Sequence, residues 1–167
     1  MIQQLSAAII QTLQQASQTV ATVESCTGGL LAHCLTNVSG ASAVFEQGFI
    51  TYSNASKIKW VEVPAPILEK HPAVSEEVAR AMAEGVRNVS GTTFGLATTG
   101  FAGPTGGTEE YPVGTLFLAI AQEKKETLVW KEFFSGEGRI AFKEKAVEAL
   151  LKRLHAILNL PEDDVLS

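Results

Sequence analysis

Val23-Glu24-Ser25-Cys26-Thr27-Gly28-Gly29 joins a short β-rich run, residues 19–23, to an apolar run over residues 28–35 that reads as a helix. A strand that ends in polar residues and a glycine pair, with a helix directly after it, is a strand–turn–helix corner of the kind found in α/β folds. At such a corner backbone N–H groups and a side-chain nucleophile can converge on one ligand. The stretch therefore sets the fold class and marks the first place to look for chemistry.

Reading outward, Leu5, Ile9, Leu13 and Ala16 share one face of a helix over residues 3–17, and glutamines fill the other face. Asn37-Val38-Ser39-Gly40 is a turn, and the apolar, aromatic segment 43–52 around Gly48 is a strand. Ser53-Asn54 caps a short helix over residues 55–60, and another short helix follows Pro64 and Pro66 near residues 67–70. Ser75 is the expected N-cap of a longer helix with Glu76 and Glu77 in its first turn; Val78, Ala81, Met82, Gly85 and Val86 form its apolar stripe. Residues 93–98 read as a core strand, and residues 113–121 and 127–134 as a hairpin. A C-terminal helix over residues 140–158 presents Val147, Leu150, Leu151, Leu154 and Leu158 on one face, and the acidic tail after Pro161 is expected to fray. Alternating helices and strands followed by adjacent strands predict an α/β protein, a three-layer α/β/α domain with a mixed sheet.

The 167 residues fit one domain with a substantial core, and 46% hydrophobic against 19% charged residues is a globular composition. A net charge of −5 argues against a sequence-independent nucleic-acid binder, which carries a basic excess. Cys26 and Cys34 form no metal-ligand spacing with the scattered His33, His71 and His155, so no metal and no disulfide framework is expected. With no stretch long enough to cross a bilayer and no leader pattern, a cytoplasmic location is the expectation.

Three segments carry candidate chemistry. In the first, Ser25 is the preferred nucleophile and Cys26 the alternative, while Thr27, Gly28 and Gly29 offer backbone N–H groups to an anion; the plainer reading is an ordinary capped helix start. In the second, Tyr52-Ser53-Asn54-Ala55-Ser56-Lys57, the positive end of a helix together with partial burial would lower the Lys57 amine from about 10.4 toward the range a general base needs. Tyr52 could then orient the amine or pass a proton; the plainer reading is a solvated lysine on a capped helix. The third is the glycine-dense loop from Thr99 to Gly107, whose backbone amides could approach an anion, or which could be a flexible connection. It has neither the Lys-Ser/Thr ending of a Walker loop nor a G-x-G-x-x-G pattern, so ATP and dinucleotide binding are unsupported.

Taken in order, these blocks resemble the C-terminal domain family of the competence-damage protein CinA, whose stand-alone members include nicotinamide-nucleotide amidases. The resemblance runs over almost the whole chain. It rests on Glu24-Ser25-Cys26-Thr27-Gly28-Gly29, on Ser42-Ala43-Val44-Phe45 with Gly48, and on Tyr52-Ser53-Asn54 with Lys57. Ala73-Val74-Ser75-Glu76, Gly100-Phe101-Ala102-Gly103-Pro104, Gly106-Gly107 and Pro112-Val113-Gly114-Thr115 complete it. It implies hydrolysis of the carboxamide of nicotinamide mononucleotide without metal or cofactor, by Ser25 with Lys57 as base and Tyr52 assisting. It further implies an oxyanion held near Thr27, Gly28 and Gly29 or in the glycine loop, a substrate phosphate against Gly100, Ala102, Gly103, Gly106 and Gly107, Arg139 as the basic phosphate contact, and a homodimer. Phe101, Thr105 and Tyr111 depart from the residues usual in the family, on the side that would meet ligand. The alternative is a catalytically inactive nucleotide-binding member that keeps the pocket.

Overall fold

Alternation along the central strands decides which helix packs on which face. The computed structural model of the chain describes residues 1–159; the expected fraying of the acidic tail lies outside them. Its strands are β1 (Val20–Glu24), β2 (Phe45–Ile50), β3 (Phe94–Gly100), β4 (Thr115–Gln122) and β5 (Leu128–Phe133). Its helices are α1 (Ile2–Ala16), α2 (Leu30–Thr36), α3 (Asn54–Val61), α4 (Ala65–Lys70), α5 (Glu76–Ser90) and α6 (Gly138–Leu158). The strands form one sheet in the order β2-β1-β3-β4-β5, parallel from β2 through β3 and antiparallel from β3 to β4 and from β4 to β5.

Large side chains from one face of the sheet, Val20, Phe94, Leu96, Leu116, Leu118 and Ile120, meet the apolar faces of α1, α2 and α6. The intervening residues, Ala21, Val23, Ala97, Ala119 and Ala121, face α5 through Val78, Met82 and Val86. Successive strand side chains point to opposite faces, so this large/small alternation builds the expected α/β/α sandwich with one thick and one thin core layer. The thin side lets backbones approach closely. A Cβ on Gly95 would collide with the Ala83 carbonyl of α5, and one on Gly85 with the Val61 carbonyl at the end of α3. We therefore expect Gly85→Ala to destabilise the fold by about 1–3 kcal/mol despite the better helix propensity of alanine, because a rigid carbonyl cannot yield. Urea denaturation measures this; an unchanged or higher midpoint would show that α3 moves freely.

Local differences from the sequence reading have simple causes. The glycine pair does not begin a helix: Gly28 and Gly29 adopt φ of 59° and 101°, left-handed values that turn the chain, and α2 starts at Leu30. Ala16 lies exposed at the end of α1, and Ser6 and Ile10 are buried beside Ile9 and Leu13 instead. Ser53 caps α3 with a reciprocal capping box to Ser56, and Ser75 caps α5 by accepting from the Val78 N–H at 3.3 Å.

The topology also creates a crevice. The chain leaves β1 toward β2 on one side and returns to β3 on the other, so the carboxyl ends of β1 and β3 lie side by side where the winding reverses. Such reversal points are where open α/β sheets take ligands.

Candidate active site

Ser25 follows the last residue of β1, and its backbone N–H donates to the Thr98 carbonyl at 3.1 Å, which extends the β1–β3 ladder one step beyond the sheet. From the other side comes the end of β2. The Thr51 N–H donates to the Glu24 carbonyl at 2.8 Å, and the chain then enters α3, whose Lys57 turns back toward the sheet. Lys57 is fully buried, with Nζ 2.7 Å from the Thr51 carbonyl oxygen and 3.4 Å from Ser25 Oγ. Burial holds its amine below the ordinary lysine value of 10.5. Thirty-two positions apart in sequence, these two groups form a serine–lysine pair at the mouth of the β1–β3 crevice.

The pair opens into a cavity of about 250 Å³ walled by Tyr52, Ala73, Thr99, Phe101, Gly103 and Thr105, among others. Gly100, Ala102 and Arg139 also line it. Arg139, exposed near the start of α6, donates from Nη1 to the Gly103 carbonyl at 2.6 Å and from Nη2 to the Tyr52 hydroxyl at 3.2 Å, so it brackets the glycine loop and the β2–α3 connection. Tyr52 thus pairs with Arg139 at the rim, and its hydroxyl is not among the partners of Lys57. Among the described residues the backbone N–H groups of Ala102 and Gly103 have no protein acceptor. A larger, mostly apolar depression of about 430 Å³ adjoins the cavity at Ala102, walled by Pro104, Val113, Phe134 and Phe142.

The other expected anion contacts sit elsewhere. Thr27 is buried, its hydroxyl shared between Glu24 Oε1 at 2.6 Å and Thr98 Oγ1 at 2.8 Å. Gly28 and Gly29 line a separate shallow depression with His33, Ile140 and Lys143. Gly106 and Gly107 shape the loop with left-handed φ of 95° and 81° but are not among the cavity walls. The first N–H groups of α2 are not open to an anion, because Glu24 takes them: Leu31 N–H donates to Oε1 at 2.8 Å and Ala32 N–H to Oε2 at 3.1 Å. A carboxylate already satisfies the positive end of that helix.

Sequence reasoning passed over Glu24, Thr51 and Lys143. Glu24 looks like any acid before a turn, and no residue spacing signals that a carboxylate from a strand end caps the next helix. Thr51 acts through its backbone carbonyl, which side-chain identity does not report. Lys143 lies three positions beyond Ile140 on α6, and a Cβ on Gly28 would stand 3.3 Å from its Nζ; only the docking of α6 against the glycine turn brings it there.

Cys26 is buried beside the pair, and burial pushes its thiol up to about 12. A thiol held that high stays protonated near neutral pH and is a poor nucleophile. Among the described residues no cluster of three or more His, Cys, Asp or Glu side chains could hold a metal ion, and no helix is long and apolar enough to cross a membrane.

Comparison with known proteins gives a consistent result. The model of the CinA C-terminal domain matches residues 2–158. A CinA-like protein of Myxococcus xanthus is 53% identical over 116 residues, which cover 70% of this chain and 28% of that protein. A CinA-like protein of Syntrophus aciditrophicus is 47% identical over 92% of this chain and 36% of its own length, so the chain spans about a third of such relatives. The nicotinamide-nucleotide amidohydrolase PncC of Shigella flexneri is 42% identical, with 92% of each chain covered. Among solved structures, the competence/damage inducible protein CihA of Agrobacterium tumefaciens superposes with a TM-score of 0.91 at 37% identity, over 95% of this chain and 96% of that one.

Proposed function

The chain belongs to the CinA C-terminal domain family, and from that premise we propose that it is an amidohydrolase that cleaves the carboxamide of nicotinamide mononucleotide to nicotinate mononucleotide and ammonia. The observation that carries the reading is the buried amine of Lys57 at 3.4 Å from Ser25 Oγ. A solvated lysine is a poor base near neutrality; one whose charged form is penalised by burial is a competent one. The covered length of the Shigella flexneri amidohydrolase supports the substrate class.

Neutral Lys57 takes the hydroxyl proton as Ser25 Oγ attacks the amide carbon, forming a C–O bond and a tetrahedral oxyanion. Among the described residues the N–H groups of Cys26, Ala102 and Gly103 line the cavity without a protein acceptor, and they are donors available to that oxyanion. Collapse breaks the C–N bond, and the Lys57 ammonium gives its proton to the amide nitrogen, which leaves as ammonia. Water then adds to the acyl-serine with Lys57 again as base, releasing the carboxylate and restoring the hydroxyl. Two of the five N–H donors of Arg139 are engaged at the rim, which leaves others for the substrate phosphate.

The direct test is incubation of the purified protein with nicotinamide mononucleotide while ammonia and nicotinate mononucleotide are quantified. Binding of the nucleotide without release of ammonia would mark a non-catalytic member instead. In the same assay Cys26→Ala should retain turnover within about threefold, since a protonated thiol contributes packing only. Loss of turnover in a folded Cys26→Ala protein would transfer the nucleophile's role to the thiol.

A further inference from the structure

We infer that Glu24 is a positioning residue that fixes the separation of Ser25 from Lys57 by clamping the turn that carries the serine. The inference rests on the serine–lysine reading given above.

Glu24 is the last residue of β1, fully buried, and its carboxylate accepts three hydrogen bonds from the segment after Ser25: Thr27 Oγ1 at 2.6 Å, Leu31 N–H at 2.8 Å and Ala32 N–H at 3.1 Å. Burying a carboxylate is costly unless donors surround it. Gly29, at the N-cap of α2 with φ of 101°, carries no side chain to cap it, and a local cap would not tie the strand end before the nucleophile to the helix after it. Glu24 closes that loop across five intervening residues, Ser25 to Gly29.

The same residue reaches the lysine through its backbone. Its carbonyl accepts from the Thr51 N–H at 2.8 Å, and the Thr51 carbonyl accepts from Lys57 Nζ at 2.7 Å. Thr27 Oγ1 also meets Thr98 Oγ1 at 2.8 Å, while the Thr98 carbonyl accepts from the Ser25 N–H at 3.1 Å. Both members of the pair are therefore referenced to residue 24. At 3.4 Å the serine–lysine contact is already long, so it tolerates little further drift before proton transfer suffers.

Glu24→Gln tests this. Its amide nitrogen must face Ala32 N–H or the Thr27 and Leu31 donors, setting donor against donor on one side of the clamp. The first readout is the rate at which a fluorophosphonate probe labels Ser25, followed by intact mass. In that step the Oγ–P bond forms, the P–F bond breaks, the serine proton passes to Lys57 and fluoride leaves. We expect labelling and kcat to fall together by about ten- to a hundredfold, with KM within about twofold and the alkaline rise of the pH profile unmoved. Thr27→Val, which removes one strand of the clamp and keeps the helix cap, should show a smaller loss in the same direction.

Wild-type labelling of the folded fraction, scored by circular dichroism, would overturn the proposal, as would a rise in KM at constant kcat. If Glu24→Gln does not fold, wild-type labelling in Thr27→Val overturns it equally. A wild-type protein that labels at Ser25 but releases no ammonia from nicotinamide mononucleotide defeats the substrate reading alone, and the labelling ratio still decides the role of Glu24. Absence of labelling in the wild type defeats the serine–lysine reading and the role of Glu24 with it, while ammonia release still decides the substrate reading.

Discussion

Ser25→Ala is expected to abolish the proposed release of ammonia from nicotinamide mononucleotide, lowering kcat by about 10⁴-fold or more while leaving the fold and nucleotide binding in place. The side chain is half-buried at a turn, and its hydroxyl has Lys57 Nζ as its one side-chain partner among the described residues. Deleting it removes no core contact, so thermal stability should hardly change. The backbone N–H of residue 25 still reaches the Thr98 carbonyl in the variant, which keeps the turn in place. Two measurements check this: ammonia release under saturating substrate, and trapping of the acyl-enzyme with hydroxylamine, which should yield the hydroxamate in the wild type alone. Turnover near the wild-type rate in Ser25→Ala would remove the nucleophile from the mechanism.

Lys57→Met is expected to have two large and opposite effects. Activity should fall by about 10²- to 10⁴-fold through loss of the base. Stability should rise, because the buried amine is tolerated for function rather than for folding. The sign follows from burial. The folded protein holds the Lys57 amine below 10.5, so between its folded value and 10.5 the unfolded chain carries a proton that the folded chain lacks, and wild-type stability climbs with pH across that window. Below the window the penalty is complete and constant. Methionine keeps the apolar stem and drops the charge, at the loss of one hydrogen bond to the Thr51 carbonyl worth about 1 kcal/mol. The net gain expected near neutral pH is about 1 kcal/mol, or about 2–4 °C in Tm. It should shrink as pH approaches 10.5. In the wild type, kcat should rise with pH and level off below 10.5 as the amine deprotonates. A Tm difference independent of pH over that range would show that Lys57 is not titrating in the interior.

The order of layers was legible because apolar periodicity survives in each element. The stripe Val78, Ala81, Met82, Gly85 and Val86 on α5 is buried as its spacing requires. The β4–β5 hairpin follows from two β-rich runs around a charged turn. The placement of β2 on the outer side of β1 and β3 on the inner side was not legible, since no local pattern encodes strand order. For the site, Ser25 stood out through its glycine turn. Lys57 has nothing in its neighbours to separate it from a surface lysine; its burial comes from α3 packing its inner face against α5, a tertiary fact. The glycines invited an anion to the start of α2, and the sequence hid the competitor because Glu24 precedes the helix it caps by several residues. Arg139 was reachable from its place after the glycine at 136, but its bonds to Gly103 and Tyr52 depend on how α6 docks.

The amine and the hydroxyl of the pair hang from strands of unequal security. β1 is flanked on both sides, by β2 and β3, whereas β2 is an edge strand that has, among the described residues, β1 as its single neighbour, with an irregular register between Val20 and Thr22. Lys57 is anchored through Thr51, the residue that directly follows β2. The geometry of the pair therefore depends on the docking of a peripheral strand: the hydroxyl is held by the sheet's interior and the amine's anchor by its edge. Local breathing of that edge would part the amine from the hydroxyl while the bulk of the molecule remained intact.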